Sequence, residues 1–183
     1  MSLYLVTGGA GFIGSAIVRA LLAEGEKVRV LDNLSTGKEA NLAPFLDDIE
    51  FVLGDIRCVD TVERAVRGAD HVIHQAAYLN VAGSVENPVE VNDINVTGTL
   101  KLLGASAASG IGRFVFASSS SAYGNSVKMP QDEATELDPL SPYAASKIAG
   151  EYYCRLFANT TGLSTVSLRY FNVYGPRQNI ESR

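Results

Sequence analysis

Short apolar runs alternate along this chain with segments whose apolar residues recur every three or four positions, the two periodicities of strands and amphipathic helices. Leu3-Tyr4-Leu5-Val6 is such a run, and it passes directly into glycines at 8, 9, 11 and 14. Ser15-Ala16-Ile17-Val18-Arg19-Ala20-Leu21-Leu22 follows at helical spacing, so the order is strand, tight turn, helix. The pattern predicts further strands over 27–32, 50–53, 70–74, 113–117 and 164–170. A short helix is predicted over 59–67, with Val59, Val62, Ala65 and Val66 on one face. Pro88 suits the first turn of a long helix running to about Ala108, whose apolar set includes Val91, Ile94, Val96, Leu100, Leu102 and Leu103. Ser141-Pro142 makes an N-cap and first-turn pair for a helix running to about Asn159. Residues 33–48, 75–87 and 118–140 read as loops.

Repeated strand–helix–strand units require right-handed crossovers and a parallel sheet covered on both faces. The expectation is an α/β, doubly wound parallel sheet forming one domain over residues 1–183. Ligands of such sheets sit beyond the carboxyl ends of the strands. The Gly8–Gly14 loop, Asp32, Asp55, residues 75–87, the serines from Ser118 and Phe171-Asn172 all fall at that edge.

Glycines at 8, 11 and 14 let a turn reverse sharply, let backbone N–H groups approach a pyrophosphate, and let the helix pack close to its strand. The free N–H groups and positive dipole end of that helix would face the anion. Asp32 lies 18 positions after Gly14 at the tip of the second strand. A carboxylate there accepts hydrogen bonds from both hydroxyls of an adenine ribose and repels a 2′-phosphate, which favours NAD over NADP. Asp55-Ile56, after the third strand, is a candidate for the adenine edge, and a turn-forming Asp after Gly54 reads equally well.

Tyr143 and Lys147 stand four apart on one helix face. An ammonium beside a phenol favours the phenolate, moving the tyrosine from about 10 towards working pH for general acid–base chemistry. Ser118-Ser119-Ser120-Ser121, after the fifth strand, offers hydroxyls to a substrate alcohol or ketone, and reads equally as a polar loop. His71 and His74 have no partner at metal-ligand or triad spacing, so His74 reads as a structural strand-end histidine and no metal is expected.

Composition narrows the picture. With 183 residues, 46% hydrophobic and 19% charged, the chain fits one globular domain with a full core. A net charge of −5 and the lack of a Lys/Arg cluster exclude a nucleic-acid footprint. No apolar run approaches the ~18–20 residues that span a bilayer, so no membrane partner is expected. The first basic residue is Arg19, inside the first helix, which argues against a secretory leader and for a cytoplasmic protein. Cys58 and Cys154 form neither a zinc motif nor a disulfide framework.

Several stretches together resemble the extended short-chain dehydrogenase/reductases. They are Thr7-Gly-Gly-Ala-Gly-Phe-Ile-Gly14, Asp32-Asn33, Gly54-Asp55-Ile56-Arg57, His74-Gln-Ala-Ala77, Asn95-Val-Thr-Gly-Thr99 and Ser118 to Gly124. Tyr143-x-x-x-Lys147 and Arg169-Tyr-Phe-Asn-Val-Tyr-Gly-Pro-Arg-Gln178 complete the set. Within that family the chain is most similar to the NAD-dependent nucleotide-sugar epimerases and dehydratases.

The resemblance implies a Rossmann fold with Ser119, Tyr143 and Lys147 as a catalytic triad, Ser120 being an adjacent candidate. It implies an NAD site lined by Gly8, Gly11, Phe12, Ile13, Gly14, Asp32 and Asn33. Asp55, Ile56, Ala76, Ala77, Tyr143, Lys147 and Tyr170 would complete that lining, and Asn95 would support the lysine through water or backbone. Ser84, Ser119, Ser120, Tyr143 and Asn172 would meet a nucleotide sugar, a UDP-sugar. It further implies a homodimer, with helices at about 89–108 and 142–159 packing against their mates.

Dehydratases of this family carry an Asp-Glu pair after the serine or threonine, where this chain has Ser120-Ser121. That favours a 4-epimerase, working by transient C4 oxidation and return of hydride to the opposite face. A dehydratase, dehydrogenase, reductase or decarboxylase of the family is the alternative, as is a catalytically silent NAD-binding domain. Chains of the family run beyond Arg183, so residues 1–183 are expected to be the NAD-binding portion, with the substrate lobe largely missing.

Overall fold

The computed structural model describes residues 1–178. Six parallel strands form one sheet: β1 (Leu3–Thr7), β2 (Lys27–Asp32), β3 (Ile49–Leu53), β4 (His71–His74), β5 (Arg113–Ser119) and β6 (Thr165–Tyr170), in the order β3-β2-β1-β4-β5-β6. The chain winds outward from β1 to β3, returns to the centre at β4, and winds outward again to β6. This is the doubly wound α/β order expected, with its reversal between β1 and β4, where their carboxyl ends diverge.

Alternation along β1 divides the core in two. Leu5 packs on one face with Leu31, Val62, Val72, Leu102 and Phe114. Val6 packs on the other with Ala10, Val18, Val28, Val30 and Leu42. Helix α1 (Phe12–Ala23) covers the Val6 face, and Val18 is fully buried there. Helices α2 (Val59–Val66) and α6 (Pro142–Thr161) supply Val62, Ala65 and Cys154 to the Leu5 face.

The caps of α6 follow the expected chemistry. Ser141 Oγ accepts from Ala144 N at 3.1 Å, Pro142 occupies the first turn, and Gly162 closes the helix at φ +79°. Tyr143, Ser146, Lys147, Gly150 and Cys154 form its buried stripe. Gly150 is required there, because a Cβ would lie 2.7 Å from Phe116 Cε1 on β5.

Three differences from the sequence expectation bear on the site. The presumed loop 75–87 contains a helix, α3 (Val81–Glu86), capped by Asn80, whose side chain accepts from Gly83 N at 2.9 Å. The expected single helix from Pro88 is continuous but not uniform. It runs as α4 (Pro88–Asn92), a π-helical turn (Asp93–Gly98) and α5 (Thr99–Ala108). β5 continues through Ser118 and Ser119, so those serines are strand-held and not part of a loop. Among the described residues, no helix is long and apolar enough to cross a membrane.

Candidate functional site

Two groups of residues meet at the carboxyl edge of the sheet. The first is the turn between β1 and α1. Gly8 adopts φ +69°, and a Cβ there would come 2.7 Å from Ala76 N. At Gly14 a Cβ would overlap the Gly8 carbonyl oxygen and stand 2.8 Å from Gly9 Cα. The turn is therefore closed to side chains at both ends, one against β4's exit and one against itself. No side chain at Gly11 caps the first-turn N–H groups of α1.

Asp32 closes the side of this turn. Its Oδ2 accepts from Ala10 N at 2.9 Å and its Oδ1 from Leu34 N at 2.8 Å, with only 7% of the residue exposed. The carboxylate thus braces the glycine turn and starts its own loop. An ionised carboxylate has about four lone-pair sites, so each oxygen keeps one for a further donor. Asn33 Nδ2 donates to Asp55 Oδ2 at 2.9 Å, and Arg57 grips the same carboxylate through Nε and Nη2 at 3.0 and 2.8 Å. The Arg57 bonds hold the Asp55 carboxyl down at about 2. Ile56 is buried against the π-turn, where a Cβ on Gly98 would come 2.7 Å from its Cδ1.

The second group is built from side chains on β5, α6 and the π-turn. Tyr143 and Lys147 are both more than nine-tenths buried. The Lys147 ammonium donates to Ala117 O at 2.9 Å, lying 5.2 Å from the Phe116 ring centroid and 5.7 Å from that of Tyr143. Burial depresses Lys147 to about 8. Burial also pushes the Tyr143 phenol up, with the Ser119 hydroxyl pulling partly the other way. The lowered tyrosine expected from the Tyr–Lys spacing is therefore not what the fold alone produces. The loss of water around the phenol outweighs a neighbouring charge whose hydrogen bond goes to a carbonyl. Ser119 Oγ also donates to Ser121 Oγ at 3.0 Å and accepts from Ser121 N at 3.1 Å, fixing the turn that follows β5.

Asn95 sits in the π-turn, the kind of one-residue insertion that re-aims a side chain. Its Nδ2 donates to Ser146 Oγ at 2.9 Å, and its Oδ1 accepts from Tyr78 N at 2.7 Å. Its contact with α6 is thus through Ser146, the neighbour of Lys147. Ser84 is fully buried, donating to Val81 O at 2.5 Å and accepting from Tyr143 N at 3.3 Å, so its hydroxyl is occupied within the chain. Ser120 is partly exposed and Asn172 is exposed. Ala76 and Ala77 line the β4 exit, and Tyr170 OH accepts from Gln75 Nε2 at 3.2 Å. Phe12 and Ile13 form the half-exposed first turn of α1.

Two features escaped the sequence reading. Arg169 grips Glu151 with Nε at 2.8 Å and Nη2 at 2.7 Å, while Ser118 Oγ donates to the same carboxylate. Burial lifts the Glu151 carboxyl, but the bonds from Arg169 and Ser118 outweigh it and hold it below its ordinary value. Arg177 Nε also donates to Ser15 Oγ at 3.1 Å, bringing a cation to the first turns of α1. The only sequence signal for the first was Glu151 standing one turn beyond Lys147.

The family model described as NAD dependent epimerase/dehydratase family matches residues 4–183. A UDP-glucose 4-epimerase from Streptomyces lividans is 40% identical over 180 residues, covering 97% of this chain and 54% of that protein. The crystal structure of Thermus thermophilus UDP-glucose 4-epimerase complexed with NAD superposes with a TM-score of 0.90 at 48% identity, over 97% of this chain and 57% of that one. A dTDP-glucose 4,6-dehydratase from Streptomyces venezuelae, solved with NAD bound, gives 0.93 at 40% identity, over 98% and 58%. The chain thus spans a little over half the length of the relatives it matches.

Proposed function

The chain belongs to the NAD dependent epimerase/dehydratase family, and from that premise we propose that residues 1–183 form the NAD-binding part of a nucleotide-sugar 4-epimerase acting on a UDP-sugar. The fit to the cofactor is supported by the side-chain-free cradle at Gly8 and Gly14, the uncapped start of α1, and the spare lone pairs of Asp32. Gly11, Phe12 and Ile13 would hold the pyrophosphate side, and Asn33, Asp55 and Ile56 the adenosine side. Ala76, Ala77, Lys147 and Tyr170 would flank the nicotinamide end. NAD bound in that cradle supplies a reversible hydride acceptor for the sugar's C4.

The reading is carried by one observation, a buried Tyr143–Lys147 pair beside Ser119 at the same sheet edge as the glycine cradle. Tyr143 takes the proton of the sugar 4-hydroxyl and gives it back after the 4-keto sugar has turned over. Lys147 stabilises the phenolate, and although burial depresses it to about 8 it is still mostly charged at neutral pH. Ser119 hydrogen-bonds the same sugar oxygen as it gains and loses its proton. Ser120 and Ser121, where dehydratases of the family carry an acidic pair, favour epimerisation over elimination. A homodimer through α4, α5 and α6 belongs to the same proposal. The groove of ≈320 Å³ between Pro88, Asn92, Val96, Pro142 and Ala145 is compatible with it.

The test is mass spectrometry of nucleotide released from the full-length protein, followed by a panel of UDP-sugars. The proposal expects bound NAD and inversion at C4 with no net NADH. Net NADH, or loss of water from the sugar, would replace the epimerase with another reaction. NAD without turnover of any sugar would leave only a binding domain.

A further inference from the structure

A directed line of hydrogen bonds runs beneath the site, and its polarity is fixed by groups that can act in one way only. At one end Thr99 Oγ1 lies 2.6 Å from the Asn95 carbonyl oxygen. A carbonyl only accepts, so the threonine's single proton points there, and its oxygen must accept from His74 Nε2 at 2.9 Å. His74 therefore carries its proton on Nε2. At the other end the Ala76 N–H donates to Thr7 Oγ1 at 3.2 Å, and that hydroxyl lies 2.7 Å from His74 Nδ1. With Nε2 protonated, a neutral ring must accept at Nδ1, and Thr7 donates to it.

Every proton then has one place, from Ala76 through Thr7, His74 and Thr99 to the π-turn. His74 is 2% exposed and walled by the rings of Phe114 and Phe116, with centroids at 5.9 and 5.8 Å. The charged group facing it is Lys147. Burial and that ammonium both disfavour an imidazolium, driving His74 down to about 3.

The two ends of this line serve the two halves of the site. Ala76 is the backbone against which Gly8 closes, and Thr7 leads directly into the glycine turn. Asn95, at the far end, bonds Ser146, whose hydroxyl donates to Tyr143 O at 2.7 Å. We propose that His74, as the neutral Nε2-protonated tautomer, is a positioning residue that registers the cofactor turn against the helix bearing Tyr143 and Lys147. Its kinetic consequence rests on the epimerase reading above, while its tautomer and its effect on NAD affinity do not.

The first test is nitrogen NMR of 15N-histidine in the full-length protein, with every histidine other than His74 replaced in turn by Gln to assign the rings. His74 is expected to show a protonated Nε2 and a bare Nδ1, unchanged from pH 8 to pH 5. A protonated Nδ1, or an imidazolium at pH 6, would overturn the proposal without any variant of His74 having to fold. The second test divides the ring's two bonds. In His74→Asn the amide oxygen takes the place of Nδ1 and keeps the Thr7 side. In His74→Gln the longer amide reaches the position of Nε2 and keeps the Thr99 side. The Asn variant is expected to hold its NAD affinity and lose about tenfold in kcat, and the Gln variant to weaken NAD binding about tenfold with kcat retained, each being the worth of one buried hydrogen bond. Equal losses in both variants, or none in either, would show a ring that only fills space. A protein whose NAD affinity falls in the Gln variant and not in the Asn variant, but which inverts no sugar, would defeat the epimerase reading and leave the positioning role standing.

Discussion

The glycine turn and the Tyr143–Lys147 face lie on one edge of one sheet, yet they are made by opposite means. The turn is shaped by what is missing: no Cβ at Gly8 or Gly14, no side-chain cap on α1. Its one charged member, Asp32, is satisfied by backbone N–H groups of its own neighbourhood. The α6 face is shaped by polar side chains held by partners on other elements: Lys147 by β5, Glu151 by β6, and Ser146 by Asn95 of the π-turn. A binding surface for an anion needs backbone and space, whereas a group that moves protons needs a tuned environment and long-range support.

The contrast breaks first, and most severely, at Tyr143. Tyr143→Phe in the full-length protein is expected to lower kcat by about 10²–10⁴, the usual worth of a general acid–base group, while NAD affinity changes little. Steady-state kinetics beside a NAD titration checks it, and retained turnover would remove the phenol from the mechanism. Gly14→Ala should do the reverse. Its Cβ meets the backbone of Gly8 and Gly9, so a cost of ~3 kcal/mol or more and loss of NAD binding are expected, read by thermal shift with and without NAD. Gly104→Ala in α5, with no atom within 4 Å of the added carbon, is the control that should not lower Tm.

Glu151→Gln sharpens the comparison from the other side. It removes the charge that Arg169 grips, and about 1.5–3 kcal/mol of stability should go with it, measured by urea unfolding. Because Ser118 bonds the same carboxylate, the loss should reach kcat through Ser119 as well, without raising the Kd for NAD.

The smallest effects are those of pH. Lys147 falls to about 8 in the folded state from 10.5, so between those values the unfolded chain binds more protons and stability rises with pH. Lys147→Met should flatten Tm over that range. His74 falls to about 3 from 6.5, so stability is lost as pH falls across that interval, and His74→Asn should flatten it there. Asp55, near 2 against 3.8, adds a further loss only below pH 4, and it is the one such window belonging to the turn side.

The same division explains what could be read from the sequence. The glycine spacing, Asp32, and the Tyr143–Lys147 pair are local patterns, encoded within 4 to 18 positions. The doubly wound parallel sheet follows from the alternation of strands with helices, whereas the strand order β3-β2-β1-β4-β5-β6 is seen only in the fold. The supporting bonds are not local. Thr7 finds His74 at 67 positions, Ser118 finds Glu151 at 33, and Asn95 finds Ser146 at 51, distances over which periodicity carries no signal. His74 accordingly read as a strand-end residue without partners. α3 was hidden because Asn80, Gly83 and Ser84 look like loop residues until Asn80 is seen capping Gly83. The π-turn was hidden because Val91, Leu102 and Leu103 keep a helical pattern on either side of it.

The central position of β1, bonded to β2 on one side and β4 on the other, also sets an order in time. Thr7 leaves the ribosome 67 residues ahead of His74, which at usual synthesis rates is roughly 3–13 s. Over that interval β1, β2 and β3 can already lie side by side, yet the wall that Ala76 gives to Gly8 does not exist. The glycine turn is made ahead of β4 and, by its dependence on β4, is finished only after it.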